Sequence, residues 1–156
     1  MKNKKGFTLV ELLAVVLILG ILSLIAVPNV ISIIDNNKKD IVLSDARKLI
    51  SQAKLQVNID KDIREKGTTA TGHKFYFKDL NANNDIKTDA DGATIKYADG
   101  SKHAYSEDSY VLYKVENGIA TYCVYLKSTQ RKLETASGRC VNESNLFDRN
   151  NVIDKN

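Results

Sequence analysis

One ionisable side chain, Glu11, stands in an otherwise apolar run from Phe7 to Ile34. A carboxylate in such a run costs about 2.5–3.5 kcal/mol at a bilayer centre on insertion scales, and less near the interface, so a partner is expected for it. Glu11 follows Gly6 by five residues and lies one helical turn from Phe7. Cleavage of the Gly6–Phe7 bond would leave a charged amine on Phe7 close to that carboxylate. An ammonium and a carboxylate, both held in lipid or in a packed helical core, prefer each other over remaining unpaired. Made between neighbouring copies, the pair would set the register of an assembly, with Glu11 as its assembly residue.

A basic start and a long apolar helix must position this pair. Lys2, Lys4 and Lys5 precede the run. As a helix, Phe7–Ile34 would extend roughly 42 Å at ~1.5 Å per residue, enough to cross a hydrocarbon core of ~30 Å. Lysines on its N-terminal side predict a cytoplasmic start and a head outside. An ordinary secretory signal would carry an apolar core of about 7–15 residues ending in small residues. This run is longer, and Leu24 stands where a small residue should precede Ala26. A plain anchor accounts for the length and the lysines, and leaves Glu11 unexplained. Pro28 lacks the N–H that would reach the Leu24 carbonyl, and Gly20 lowers helix propensity by about 1 kcal/mol relative to Ala. The two together mark weak points in the helix, although Gly and Pro are also common in membrane helices.

The segment Lys4-Lys5-Gly6-Phe7-Thr8-Leu9-Val10-Glu11-Leu12-Leu13 resembles the type III leader of the type IV pilin and pseudopilin superfamily, in a Gram-positive-like type IVa form. The resemblance covers only the N-terminal segment. It implies that a membrane prepilin peptidase cleaves between Gly6 and Phe7 and methylates the new N-terminal Phe7. It implies an assembly role for Glu11, and it places Gly20 and Pro28 where many such pilins carry helix-weakening residues. The expected division is a leader over 1–6, a transmembrane and filament-core helix over 7–34, and an extracellular head over 35–156. Before assembly the chain would be a single-pass protein of the cytoplasmic membrane; afterwards it would be part of an extracellular pilus. The implied partners are copies of itself or other pilins in a filament, the peptidase, and an inner-membrane platform driven by a cytoplasmic ATPase. A surface pilus subunit for adhesion, motility or aggregation is the leading expectation. The alternatives are a pseudopilin of type II secretion or competence, with nucleic acid a partner only in the competence case, and an unprocessed anchored binding module.

Twenty-three Lys and Arg oppose 19 Asp and Glu over 156 residues, a formal charge of +4. Removal of Lys2, Lys4 and Lys5 would leave 20 against 19, or +1, so the basic character is mostly leader. Composition excludes a disordered tail, a collagen-like fibre, a multi-span membrane protein and a plain cytosolic domain. After Asp35 the apolar pattern turns helical: Val42, Ala46, Leu49 or Ile50, Ala53 and Val57 recur at spacings of three and four. This stripe predicts that the first helix continues to about residue 62, stopping between Asp60 and Gly67. Strands are expected over His73–Leu80, over 93–97 and 102–106 around Ala98-Asp99-Gly100-Ser101, and over Tyr110–Val115 and Ile119–Leu126 around Glu116-Asn117-Gly118. The expected fold is therefore α+β, a long helix on an antiparallel sheet, which the family resemblance also implies. From Lys127 onward the chain reads as an irregular tail. Cys123 and Cys140 are an even number in a head placed where disulfides form. A bridge between them would pin the tail to the sheet, as a C-terminal disulfide loop does in many pilins; two reduced cysteines are the alternative.

Weaker signals complete the reading. Asp79, Asn81, Asn83 and Asp85 alternate like the start of a calcium loop, but Asn84 occupies the glycine position and Ala90 stands where a bidentate Glu belongs. Tyr97, Tyr105, Tyr110, Tyr113, Tyr122 and Tyr125 fall on expected strands, suited to sheet packing and less so to stacking on sugars or bases. Lys127, Arg131, Lys132 and Arg139 form a loose basic patch, read as solvated surface rather than as a DNA contact. No metal site, cofactor or enzymatic constellation is expected.

Overall fold

The computed structural model describes residues 7–155. Gly6 and the three leader lysines lie outside the described residues. The first element is helix α1 (Leu9–Ile59), and two compact units divide within it, between Asn37 and Lys38. In the N-terminal unit the large apolar side chains of α1 are exposed all round, from Leu9 to Ile34. The few polar ones close onto their own helix. Ser23 Oγ donates to the Leu19 carbonyl at 2.7 Å, Asn29 Nδ2 to Ile25 at 3.2 Å and Ser32 Oγ to Asn29 at 2.9 Å. Such back-bonding gives each of these three donors a partner on a surface suited to apolar surroundings. The backbone stays helical through Gly20 and Pro28.

The second unit begins with the amphipathic half of α1. Val42, Leu43, Ala46, Leu49, Ile50, Ala53 and Val57 are buried, one stripe at helical spacing. Ala46 and Ala53 are fully enclosed, so the sheet comes close to the helix there. The helix ends earlier than its periodicity suggests. Asp60 adopts extended backbone, and its carboxylate accepts from the N–H groups of Asp62 at 2.9 Å and Ile63 at 3.3 Å. That cap starts a separate helix, α2 (Lys61–Gly67), instead of letting α1 run to residue 62. Gly67 is a packing requirement more than a stop signal: a Cβ there would lie 2.0 Å from the Tyr113 ring.

Next come β1 (His73–Tyr76), a helical turn α3 (Phe77–Leu80), β2 (Ile95–Lys96), β3 (Lys102–His103), β4 (Tyr110–Glu116), β5 (Ile119–Lys127), β6 (Arg131–Leu133), β7 (Val141–Asn142) and β8 (Val152–Asp154). The main sheet runs β1-β4-β5-β6-β8, all antiparallel, with β7 beside β5. Phe75, Val111, Tyr113, Val124, Leu126, Leu133, Val141 and Val152 form the core on its inner face with the α1 stripe. The β4–β5 hairpin is as expected, with Asn117 and Gly118 both at positive φ, 52° and 78°. Such a pair matches the right-handed twist of the strands.

Three expectations are corrected. The strand over His73–Leu80 stops at Tyr76, because Phe77 and Leu80, three apart, both turn into the core. The 93–106 hairpin is real but reduced to the short β2–β3 ribbon, so Tyr97 and Tyr105 lie just outside strands. Both are buried, and Tyr97 Oη donates to the Tyr105 carbonyl at 2.7 Å. Burial, with Glu107, Asp99 and Asp108 adding to it, pushes the Tyr97 hydroxyl up to about 12 and so keeps it a donor. Finally, the tail is ordered, supplying β6, β7 and β8.

Polar pins hold that tail. Cys123 and Cys140 are disulfide-bonded with Cα atoms 5.4 Å apart, tying β7 to the middle of β5. Arg149 makes two 2.7 Å bonds to the Asp40 carboxylate on α1. Arg131, nearly buried, reaches Asp154 at 2.7 Å and Asp91 at 3.3 Å, and Asp91 also meets Lys38 at 2.8 Å. Asp89 accepts from Thr129 Oγ1 at 2.6 Å and from the N–H groups of Ala93, Asp91 and Thr129. Asp45, 4 % exposed on α1, accepts from Tyr105 Oη at 3.0 Å; burial pushes its carboxyl up, against the pull of Tyr105 and Lys48.

Two stability predictions follow from these pins. Burial alone would raise the Asp89 carboxyl, but its hydrogen bonds from Thr129, Ala93 and Asp91 outweigh it and hold it below the ordinary 3.8. Its contribution is therefore fully present above that value and is lost as pH falls through the lowered one. Asp89→Asn should cost about 1–2 kcal/mol at neutral pH in urea unfolding of the detergent-solubilised chain. The gap from wild type should close in acid; a gap constant with pH would contradict the assignment. Cys140→Ser, opening a loop with a sequence separation of 17, should cost about 3 kcal/mol on the chain-entropy model, read in the same assay.

Candidate functional site

The chemistry foreseen around Glu11 begins with a helix terminus. Thr8 precedes α1, and the pattern Thr8-Leu9-Val10-Glu11 is a capping box. Glu11 Oε2 accepts from both the N–H and the hydroxyl of Thr8, each at 3.0 Å. In return, Thr8 Oγ1 accepts from the Glu11 N–H at 3.3 Å, and the first helical bond joins the Leu12 N–H to the Thr8 carbonyl at 3.2 Å. The carboxylate thus sits over the positive end of α1, where a negative charge is favoured by its dipole. The sequence reading found Glu11 and missed Thr8, although threonine three residues before glutamate at the head of an apolar run was a visible signal.

Phe7 directly precedes this cap and is exposed, as are the apolar side chains that follow. α1 is long and apolar enough to cross a membrane: its most apolar window has a mean hydropathy of 2.9, and none of it is buried. An acceptor near the start and an uncovered apolar helix behind it can perform two tasks. They can hold the chain in a bilayer, and they can offer a carboxylate to a cation delivered by a neighbour. Gly6, on the other side of the expected cleavage point, lies outside the described residues. Gly20 leaves open space, with nothing within 4 Å of where its Cβ would be. The surroundings of the Pro28 side chain also lie outside the described residues.

Other foreseen residues fall elsewhere. Cys123 and Cys140 are joined, as already described. Asn81 is buried and spent on closing a loop: its Oδ1 accepts from the Ile86 N–H at 3.0 Å and its Nδ2 donates to the Ile86 carbonyl at 2.9 Å. Asp79, Asn83 and Asp85 lie exposed around it. Among the described residues no group of three or more His, Cys, Asp or Glu is arranged to hold a metal ion. The basic patch dissolves as a patch. Arg131 is buried in its ion pairs, Lys132 faces Glu134 at 3.7 Å and Lys127 faces Asp108 at 3.9 Å. Tyr110 and Tyr125 stack across β4 and β5 at 5.7 Å, with Lys74 Nζ 4.3 Å from the Tyr110 ring centre on the β1 side. Both faces of Tyr110 are therefore taken, which supports the sheet-packing role.

Comparison with known proteins bears on the N-terminal segment alone. Residues 1–27 match the family model described as the prokaryotic N-terminal methylation motif. Neither a curated protein nor a solved structure matches the chain. The matched residues hold Gly6, Phe7, the Thr8–Glu11 cap and most of the apolar run. This match to a prepilin-type leader supports a type IV pilin-like or pseudopilin-like protein.

Proposed function

We propose that this chain is the precursor of a structural subunit of a surface type IV pilus. The observation that carries the reading is Glu11: one carboxylate in an uncovered apolar helix, five residues after Gly6 and its junction with Phe7 inside a methylation motif. The leader would be residues 1–6, the membrane and filament-core helix 7–34, and the extracellular head 35–156. In the membrane the lysines stay in the cytoplasm and the head outside. A prepilin peptidase cuts after Gly6 and methylates Phe7, and the platform with its cytoplasmic ATPase feeds the subunit into a filament. There Glu11 exchanges its Thr8 donors for the charged N-terminus of a neighbouring copy, a charge-assisted bond worth roughly twice a neutral one. Gly20 and Pro28 let the helix yield as it leaves the bilayer. Energy for extension and retraction comes from the ATPase, so the chain itself needs no catalytic group or cofactor.

Glu11→Val should leave the head's unfolding midpoint and membrane insertion unchanged and abolish incorporation into filaments. Normal filaments from this variant would remove the proposed role of Glu11. Non-reducing intact mass of the chain from sheared filaments and from membranes tests the whole reading. Loss of residues 1–6 with gain of one methyl in the sheared fraction is the expected result. The processed mass confined to membranes would instead support a pseudopilin of secretion or competence. An uncut chain in peptidase-competent cells would return it to a plain anchor.

A further inference from the structure

The head carries a cleft that neither the fold nor the assembly reading uses. It lies between the outward side of α1 and the loop that Asn81 closes on Ile86, and it has a volume of about 350 Å³. Small-ligand sites fall at roughly 300–1,000 Å³. Its lining includes Ser44, Arg47, Lys48 and Gln52 from α1, facing Asp85 from the loop. Among the described residues the side chains of Ser44, Gln52 and Asp85 have no hydrogen-bond or ion-pair partner. Arg47 spends one nitrogen on the Leu146 carbonyl, at 2.6 Å, and so stays anchored with the rest of its guanidinium free. Lys48 is held beside the cleft by Asp45 at 3.3 Å.

We propose that this cleft binds a sugar unit bearing a carboxylate, as a free acidic monosaccharide or within a glycan. Arg47, with Lys48, takes the carboxylate through the fork geometry that suits it. Ser44 and Gln52 donate to and accept from ring hydroxyls, and Asp85 accepts from vicinal ones. Leu49 and Ile86, also in the lining, offer the ring apolar surface. Asp85 weighs against an anion without donors, such as phosphate, whereas a hydroxyl-rich acid offers it O–H groups to accept from. The inference concerns the head alone and stands whether or not the chain enters a filament.

The experiment is saturation-transfer NMR on the full-length chain in detergent micelles, with glucuronate as probe and glucose and inorganic phosphate as comparisons at about 10 mM each. Transfer to glucuronate is expected, with a dissociation constant of about 1 mM, and little to glucose or phosphate. Gln52→Ala, which breaks no bond of the fold, should weaken it about tenfold or more. Lys61→Gln, on α2, should not. Equal transfer to glucose and glucuronate, preference for phosphate, absence of transfer, or indifference to Gln52→Ala would each overturn the proposal. Arg47→Lys keeps the charge but loses the fork and the bond to Leu146: it should weaken glucuronate about tenfold, and unchanged binding would overturn the carboxylate assignment.

Discussion

A single helix here must satisfy two surroundings, and most of the architecture answers to that constraint. Up to residue 34, α1 presents apolar side chains on every side and ties its few polar groups back to its own carbonyls. From Val42 onward the same helix is amphipathic, with one buried stripe and charged residues elsewhere. A surface apolar all round is stable only in lipid or among other helices, while a one-sided stripe is stable only under a sheet. Burying each Val, Leu or Ile of that stripe is worth roughly 1.5–3 kcal/mol, so the sheet cannot be detached from it cheaply. The apolar half, by contrast, gains nothing inside its own chain and keeps its binding capacity for something outside it.

Glu11 is tolerable within this scheme because it is never required to be bare. An unpartnered carboxylate would weaken both insertion and helix packing. Thr8 supplies two donors on the spot, and the end of the helix adds favourable dipoles. Those donors are neutral, so a charged amine is a better partner when one becomes available, and cleavage at Phe7 is what would create it. The capping box and an assembly role are therefore compatible: the first keeps the carboxylate usable until the second can compete for it.

Legibility from the residues followed the range of the interactions concerned. The apolar run, the buried stripe and the Asn117-Gly118 hairpin were readable because each is a local pattern repeated or a turn with few alternatives. The Asp60 break was harder, since Asp60 stops α1 through its own side chain while the apolar stripe nearby argues for continuation. The Phe77–Leu80 turn is hidden inside an aromatic run that favours strand. The tail defeated a local reading altogether. β6, β7 and β8 are two or three residues long and exist through distant partners: the bond to Cys123, the Arg131 ion pairs, and the clamp of Arg149 on Asp40. Arg131 shows why charge counting misled: the same residue reads as surface in sequence and is a buried pin in the fold. The cleft at Arg47 lay equally out of reach, because it needs a loop folded back on α1 by Asn81 and a turn delivered by the tail.

Electrostatics bears on how such chains can crowd together. Removal of Lys2, Lys4 and Lys5 would lower the formal charge from +4 to +1. Most remaining charges are matched locally, as in Lys54 with Glu143 or Lys114 with Glu116, and exposed pairs of this kind contribute little to stability. Their larger effect is to flatten the field around the head. A net charge far from zero would set a repulsion between neighbours growing with every subunit added, whereas a near-neutral head leaves association to contact shape. As a leader these charges would serve insertion and orientation, and an assembly that removed them first would proceed without carrying their repulsion into the filament. Under the proposed processing, the cut that would supply Glu11 with a charged partner would also be the cut that discharges the subunit.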